Sequence, residues 1–138
     1  MIEIVADKDI PYLKEVFENS KTFRLKTLPF DEINKKTLKN SQALLSRSAT
    51  ILNDELINGT DIRFIFSLTS GEDHIDHDFL SSREIFIKTA KGANAQAVLE
   101  YTLDALSFSS EKKVGLIGEG PVSYTHLRAH ETREDRGW

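Results

Sequence analysis

Two hydroxyl-rich stretches, Arg47 with Ser48 and Thr69 with Ser70 and Gly71, carry the donors that a phosphate or carboxylate needs. An arginine fork, short hydroxyls and open backbone N–H groups approach an anion from several sides, and charge-assisted hydrogen bonds are the strong ones. The plain alternative is turn chemistry, because Ser, Thr and Gly are common wherever a strand ends. Asn94, behind Gly92 and Ala93, is a third candidate. It can cap the helix that follows, and the free N–H groups and dipole of such a helix start favour an anion; capping alone is the competing reading.

The stretch GEDHIDHD, residues 71–78, gathers acids and imidazoles. It can be read as a metal site or as the home of a general base. Successive side chains diverge, however, and no second ligand cluster occurs elsewhere. Asp76 or Asp78 serves equally well as a helix cap before Phe79 and Leu80, so no metal is expected. The stretch VGLIGEG, residues 114–120, supplies a strand and two glycines of G-x-G-x-x-G: Gly118 for the tight turn and Gly120 for close approach to a dinucleotide pyrophosphate. Ser123 occupies the third glycine position.

That motif runs into a polar tail. Residues 122–132, VSYTHLRAHET, back-translate into one reading frame of a transposase-type sequencing adapter, so native protein is expected to end near Gly120 and residues 121–138 to be foreign to the fold. His126 and His130, spaced like a helical metal pair, lose their weight with it.

The elements that must position these residues follow from pattern and composition. With 138 residues, 39% apolar and 29% charged, the chain fits one ordinary domain with one core. A net charge of -4 and a pI near 5.6 give no basic field, which argues against nucleic acid or an anionic membrane as partner. Cysteine is absent, which fits a cytoplasmic location, and no apolar run is long enough to span a membrane.

Short β-branched or aromatic runs predict strands at 2–6, 23–28, 43–46, 63–68 and 85–88. Helices are predicted at 12–19, capped by Asp9 and burying Leu13, Val16 and Phe17, and at 53–57, 76–82 and 94–108. In the last, Ala95, Val98, Leu99, Thr102, Ala105 and Leu106 form one face. Alternating strands and helices predict an α/β fold, a flavodoxin-like layered domain around a parallel sheet. Ligands of such sheets gather beyond the carboxyl ends of the strands, where the loops at Arg47 and Thr69 meet if their strands are neighbours.

Taken in order, VADKDIPY, LLSRSATILNDELI, TSGEDHID, KGANAQAVLEY and VGLIGEG resemble the N-terminal part of the D-isomer-specific 2-hydroxyacid dehydrogenases, from residue 1 to Gly120. The resemblance implies a substrate domain over 1–110 that includes a long crossover helix. It also implies the truncated start of an NAD-binding Rossmann domain over 111–120. Ser48 and Thr69 match substrate-contacting positions, Arg47 adjoins the first, Asn94 matches a cleft position, and Gly118 and Gly120 match the dinucleotide loop. Glu72 departs from the pattern by placing a negative charge where a neutral residue is common.

Within the family the chain most resembles members that oxidise 4-phospho-D-erythronate to 2-oxo-3-hydroxy-4-phosphobutanoate in pyridoxal phosphate (vitamin B6) biosynthesis. The implied partners are a small phosphorylated hydroxy acid, NAD and, for a full-length parent, a second copy in a homodimer. The family's catalytic Arg, Glu and His lie downstream of Gly120, so no catalytic residue is assigned and the fragment itself is expected to be inactive. The alternatives are another member, such as a phosphoglycerate dehydrogenase, or a non-enzymatic flavodoxin-like anion-binding module.

Overall fold

The computed structural model describes residues 1–107. The chain divides into two compact units, Met1–Ala90 and Lys91–Trp138. In the first, β1 (Ile2–Asp7), β2 (Phe23–Leu28), β3 (Ala43–Ser46), β4 (Phe64–Ser67) and β5 (Phe86–Thr89) form one sheet in the order β2-β1-β3-β4-β5. Every neighbouring pair is parallel. This is the flavodoxin-like order, and each strand lies within one residue of its predicted bounds. The strand predicted after Lys113 lies outside the described residues.

One face of the sheet is packed by α2 (Lys35–Leu38), α3 (Asp54–Ile57) and α4 (His77–Ser82). Val5, Leu44 and Ile65 stand side by side in register and meet Ile33, Leu38, Ile57 and Leu80 in a single buried cluster. Burying each such side chain contributes about 1.5–3 kcal/mol. The short helices hold their starts with polar caps: Asn53 Oδ1 accepts the Leu56 N–H at 3.1 Å, and Asp76 Oδ1 accepts the Phe79 N–H at 3.0 Å. Helix α2 was not legible as periodicity. A capping box makes it, with Asn34 Oδ1 accepting from Lys36 and Thr37 while Thr37 Oγ1 accepts the Asn34 N–H.

Helix α1 (Leu13–Phe17) lies on the opposite face and corrects one expectation. It starts one residue later than predicted, after Tyr12 at φ 62, without a side-chain cap, and Val16 is 70% exposed rather than buried. Asp9 does not cap it because its carboxylate is bound by Arg47. Leu13 and Phe17, one turn apart, still pack against Ala6, Leu25 and Leu45. Beside α1 an apolar groove of about 610 Å³ runs over Ile4, Ala43, Leu45, Phe64 and Phe66.

Within the second unit, Gly92 takes φ 78 in the turn that leads to α5 (Ala95–Ser107), a left-handed conformation that favours glycine. Ala95 and Leu99 are buried, and Val98 and Thr102 are half-buried, as the predicted helix face requires. Tyr101 and Leu103 are exposed on the other side.

Candidate functional site

Four strands change character within one pleat repeat. Val5, Leu44, Ile65 and Ile87 are register partners on the helix-covered face. Two residues on, about 6.6 Å along a strand, the same face presents Asp7, Ser46, Ser67 and Thr89. Ser46 pairs with Ser67 and Ser67 with Thr89, while Asp7 lies one step beyond the pair Ala6 and Leu45. Asp7, Ser46 and Ser67 are fully buried. An unpaired buried polar group costs about 1–3 kcal/mol, so this row needs partners in the loops above it.

The first half of the row is ionic. Arg47 Nε donates to Asp7 Oδ2 and Arg47 Nη2 to Asp9 Oδ2, each at 2.9 Å, and the Asp9 N–H donates to Asp7 Oδ1 at 3.0 Å. The Asp7 side chain is 0% exposed and that of Arg47 35%. The hydrogen bond to Asp7 raises the guanidinium pKa above its ordinary value; burial opposes this, and the charges of Asp7 and Asp9 reinforce it. In this strand order β1 and β3 flank the point where connections reverse direction, which is where doubly wound sheets take their ligands. Arg47 spans that crevice.

The second half is built of hydroxyls. Ser67 Oγ lies 3.2 Å from Thr69 Oγ1 and 2.9 Å from His74 Nε2. The His74 backbone is fixed by its carbonyl, which accepts the Leu52 N–H at 2.8 Å, and by the bridge between Leu52 and Ile75. Burial lowers the His74 pKa and the nearby Asp73 charge raises it less, so the imidazole is neutral at neutral pH. Thr89 Oγ1 donates to Glu72 Oε1 at 3.1 Å, which turns that carboxylate toward β5. Between the halves, the buried hydroxyls of Ser46 and Thr50 have no hydrogen-bond partner among the described residues. Polar capacity is left over at this edge.

The structure brings together the two hydroxyl-rich loops read from the sequence. They leave β3 and β4 from the paired residues Ser46 and Ser67, and the Leu68 N–H donates to Ser46 O at 2.8 Å. Ser48 is exposed and Thr69 half-buried. Asn94 stands directly before α5, where its carbonyl accepts the Val98 N–H at 3.1 Å, and belongs to the second unit. Gly118, Gly120, His126 and His130 lie outside the described residues. No group of three acidic or imidazole side chains is placed to hold a metal among the described residues.

Sequence reasoning missed Asp7, Ser67 and His74 as partners of the predicted residues. A signal was present: VAD, LLS, IFS and IKT each end a strand with an apolar residue, a spacer and a polar residue. Four strands that share this ending put one polar row at one sheet edge.

Comparison with known proteins gives the row a setting. The family model described as D-isomer specific 2-hydroxyacid dehydrogenase, catalytic domain, matches residues 1–135. The erythronate-4-phosphate dehydrogenase of Hahella chejuensis is 39% identical over 129 residues, covering 88% of this chain and 33% of that protein. The erythronate-4-phosphate dehydrogenase of Salmonella arizonae is 36% identical, covering 88% of this chain and 34% of the relative. The chain thus spans about a third of the length of these curated relatives. Among solved structures, the NAD+-bound 3-phosphoglycerate dehydrogenase of Entamoeba histolytica superposes with a TM-score of 0.64 at 19% identity, covering 95% of this chain and 51% of the other. The D-lactate dehydrogenase of Aquifex aeolicus gives 0.58 at 14% identity over 94% and 48%. Parallel sheet, paired hydroxyl loops and the match over nearly the whole chain agree: this chain belongs to the D-isomer specific 2-hydroxyacid dehydrogenases, through the family's catalytic domain.

Proposed function

We propose that the unit Met1–Ala90 is the substrate-gripping part of an NAD-dependent dehydrogenase that oxidises 4-phospho-D-erythronate to 2-oxo-3-hydroxy-4-phosphobutanoate on the way to pyridoxal phosphate. The observation that carries this reading is the polar row at the carboxyl edge, with the Ser48 and Thr69 loops rising from paired residues of β3 and β4. Ser48, Thr69 and Arg47 are its proposed substrate-binding residues, Arg47 acting from within its pairing with Asp7 and Asp9, and Asn94 is the substrate-binding candidate carried by the second unit. Short hydroxyls and loop N–H groups suit a substrate that carries both a carboxylate and a phosphate, since both groups only accept hydrogen bonds.

The reaction removes a hydride from C2 and a proton from the 2-hydroxyl. NAD supplies the hydride acceptor, and Gly118 and Gly120 are the residues proposed to approach it; the proton-accepting base belongs to the part of the parent protein beyond this chain. The domain limits 1–110 and 111–120, the foreign tail 121–138, an inactive fragment, a homodimeric parent and a cytoplasmic location complete the proposal. Among the described residues no helix is long and apolar enough to cross a membrane.

The test is a chain extended past Gly120 with the parent gene's own sequence and assayed for NAD reduction. Turnover of 4-phospho-D-erythronate well above that of 3-phosphoglycerate and D-lactate is the expected result, with loss of substrate affinity in Ser48→Ala and Thr69→Ala. Preference for 3-phosphoglycerate would move the assignment within the family. A stop codon directly after Gly120, with saturable anion binding and no turnover, would replace the enzyme with a binding module.

A further inference from the structure

Ser67 is the one fully buried hydroxyl of the row that touches both a substrate-binding candidate and an imidazole. Its single proton forces a choice. If Ser67 donates to His74 Nε2, it must accept from Thr69, and the Thr69 proton points inward, leaving only lone pairs toward the loop. If His74 Nε2 carries the proton and donates to Ser67, then Ser67 donates to Thr69, and the Thr69 proton is free to point outward. An anion, which only accepts, is repelled by the first order and bound by the second.

We infer that His74, Ser67 and Thr69 form an ordered hydrogen-bond chain, Nε2–H to Ser67 Oγ to Thr69 Oγ1, that presents the Thr69 hydroxyl as a donor to an acceptor-only oxygen of the anionic substrate. His74 and Ser67 are positioning residues in this scheme; neither touches the substrate. The distances of 2.9 Å and 3.2 Å permit both links. The two positioning residues are anchored. The Ala90 N–H donates to Ser67 O at 2.9 Å, and the His74 carbonyl is held by the Leu52 N–H at 2.8 Å, so the chain sits on fixed backbone. Each bond in such a series polarises the next, which strengthens the terminal donor beyond what an isolated threonine offers. The inference rests on the reading of Thr69 as a substrate contact, and it gives His74 a part in that loop.

Two measurements on the 138-residue chain separate this inference from the reading beneath it. In the first, ¹⁵N NMR of the imidazoles above pH 7, with His74 assigned by His74→Gln, should show the proton on Nε2 and an unprotonated Nδ1. A proton on Nδ1, with and without phosphate present, would overturn the ordered chain.

In the second, inorganic phosphate is titrated while the Thr69 amide is followed. Ser67→Ala should weaken binding about threefold to tenfold, the size expected for one hydrogen bond, and Ser67→Thr should restore it because the hydroxyl returns. Equal binding by wild type and Ser67→Ala would sink the chain while sparing Thr69. Absence of a saturable Thr69 response in the wild type would instead sink the reading of Thr69 as an anion contact, and with it the chain's role in binding.

Discussion

At the end of β1 a buried carboxylate is matched by a guanidinium; at the end of β4 a buried hydroxyl is matched by a neutral imidazole and a second hydroxyl. Both satisfy polar atoms that the sheet hides from water, yet they differ in what is left for a ligand. Arg47 is answered by two carboxylates, so the ionic half carries no surplus of positive charge and works chiefly to hold the loop that bears Ser48. In the hydroxyl half the link from His74 through Ser67 is uncharged at neutral pH and ends in Thr69, a group able to donate outward. In the proposed site an anion would thus lean more on neutral donors than on Arg47, which two carboxylates already share.

Removing Arg47 should break the comparison hardest. Arg47→Ala leaves Asp7 buried with only the Asp9 N–H for company, and an uncompensated buried charge costs about 3 kcal/mol even with partial relief by water. Urea denaturation should register that loss, whereas a change below about 1 kcal/mol would mean the carboxylate is solvated without its partner. In the hydroxyl half, Ser67→Ala should cost only about 1 kcal/mol. If the two substitutions proved equally damaging, the distinction between clamp and donor would disappear.

Acid separates the halves differently. The His74 pKa is lowered in the folded chain relative to its ordinary 6.5. Above that pH both folded and unfolded imidazoles are neutral, and the contribution of His74 to stability is fully present. As pH falls below 6.5 the unfolded chain takes up a proton that the folded one resists, so stability declines until the lowered folded pKa is passed. Replacing His74 by Gln should flatten this part of the stability profile. An unchanged profile between wild type and His74→Gln would show that the imidazole is not held neutral by burial.

Local rules made much of this legible. Strand bounds follow from β-branched runs, Asp76 announces its helix, and the loops at Ser48 and Thr69 come together once β3 and β4 are neighbours. What escaped was long-range pairing between side chains. Asp7 and Arg47 are 40 positions apart, and nothing in either neighbourhood names the other. Asp9 looked like a helix cap because capping is a local bargain; the fold instead ties it to Arg47, and Val16 turns outward as the helix starts later. His74 meets its partner Ser67 only because β4 and the loop after it fold back together, which nothing in GEDHIDHD announces.

The mildest intervention is at the rim. Asp9 is 52% exposed and meets Arg47 through one Nη2, so Asp9→Asn should cost only about 0.2–1 kcal/mol, as surface ion pairs do. Much of that difference should vanish near 1 M salt, which weakens solvent-exposed ion pairs, while the Asp7 pair, with its carboxylate buried, should persist. Measuring both variants at low and high salt reads the gradient from rim to interior directly. Should the Asp9 effect survive salt as well as the loss in Arg47→Ala does, the Asp9–Arg47 pair would be shielded from solvent and the gradient from rim to interior would disappear.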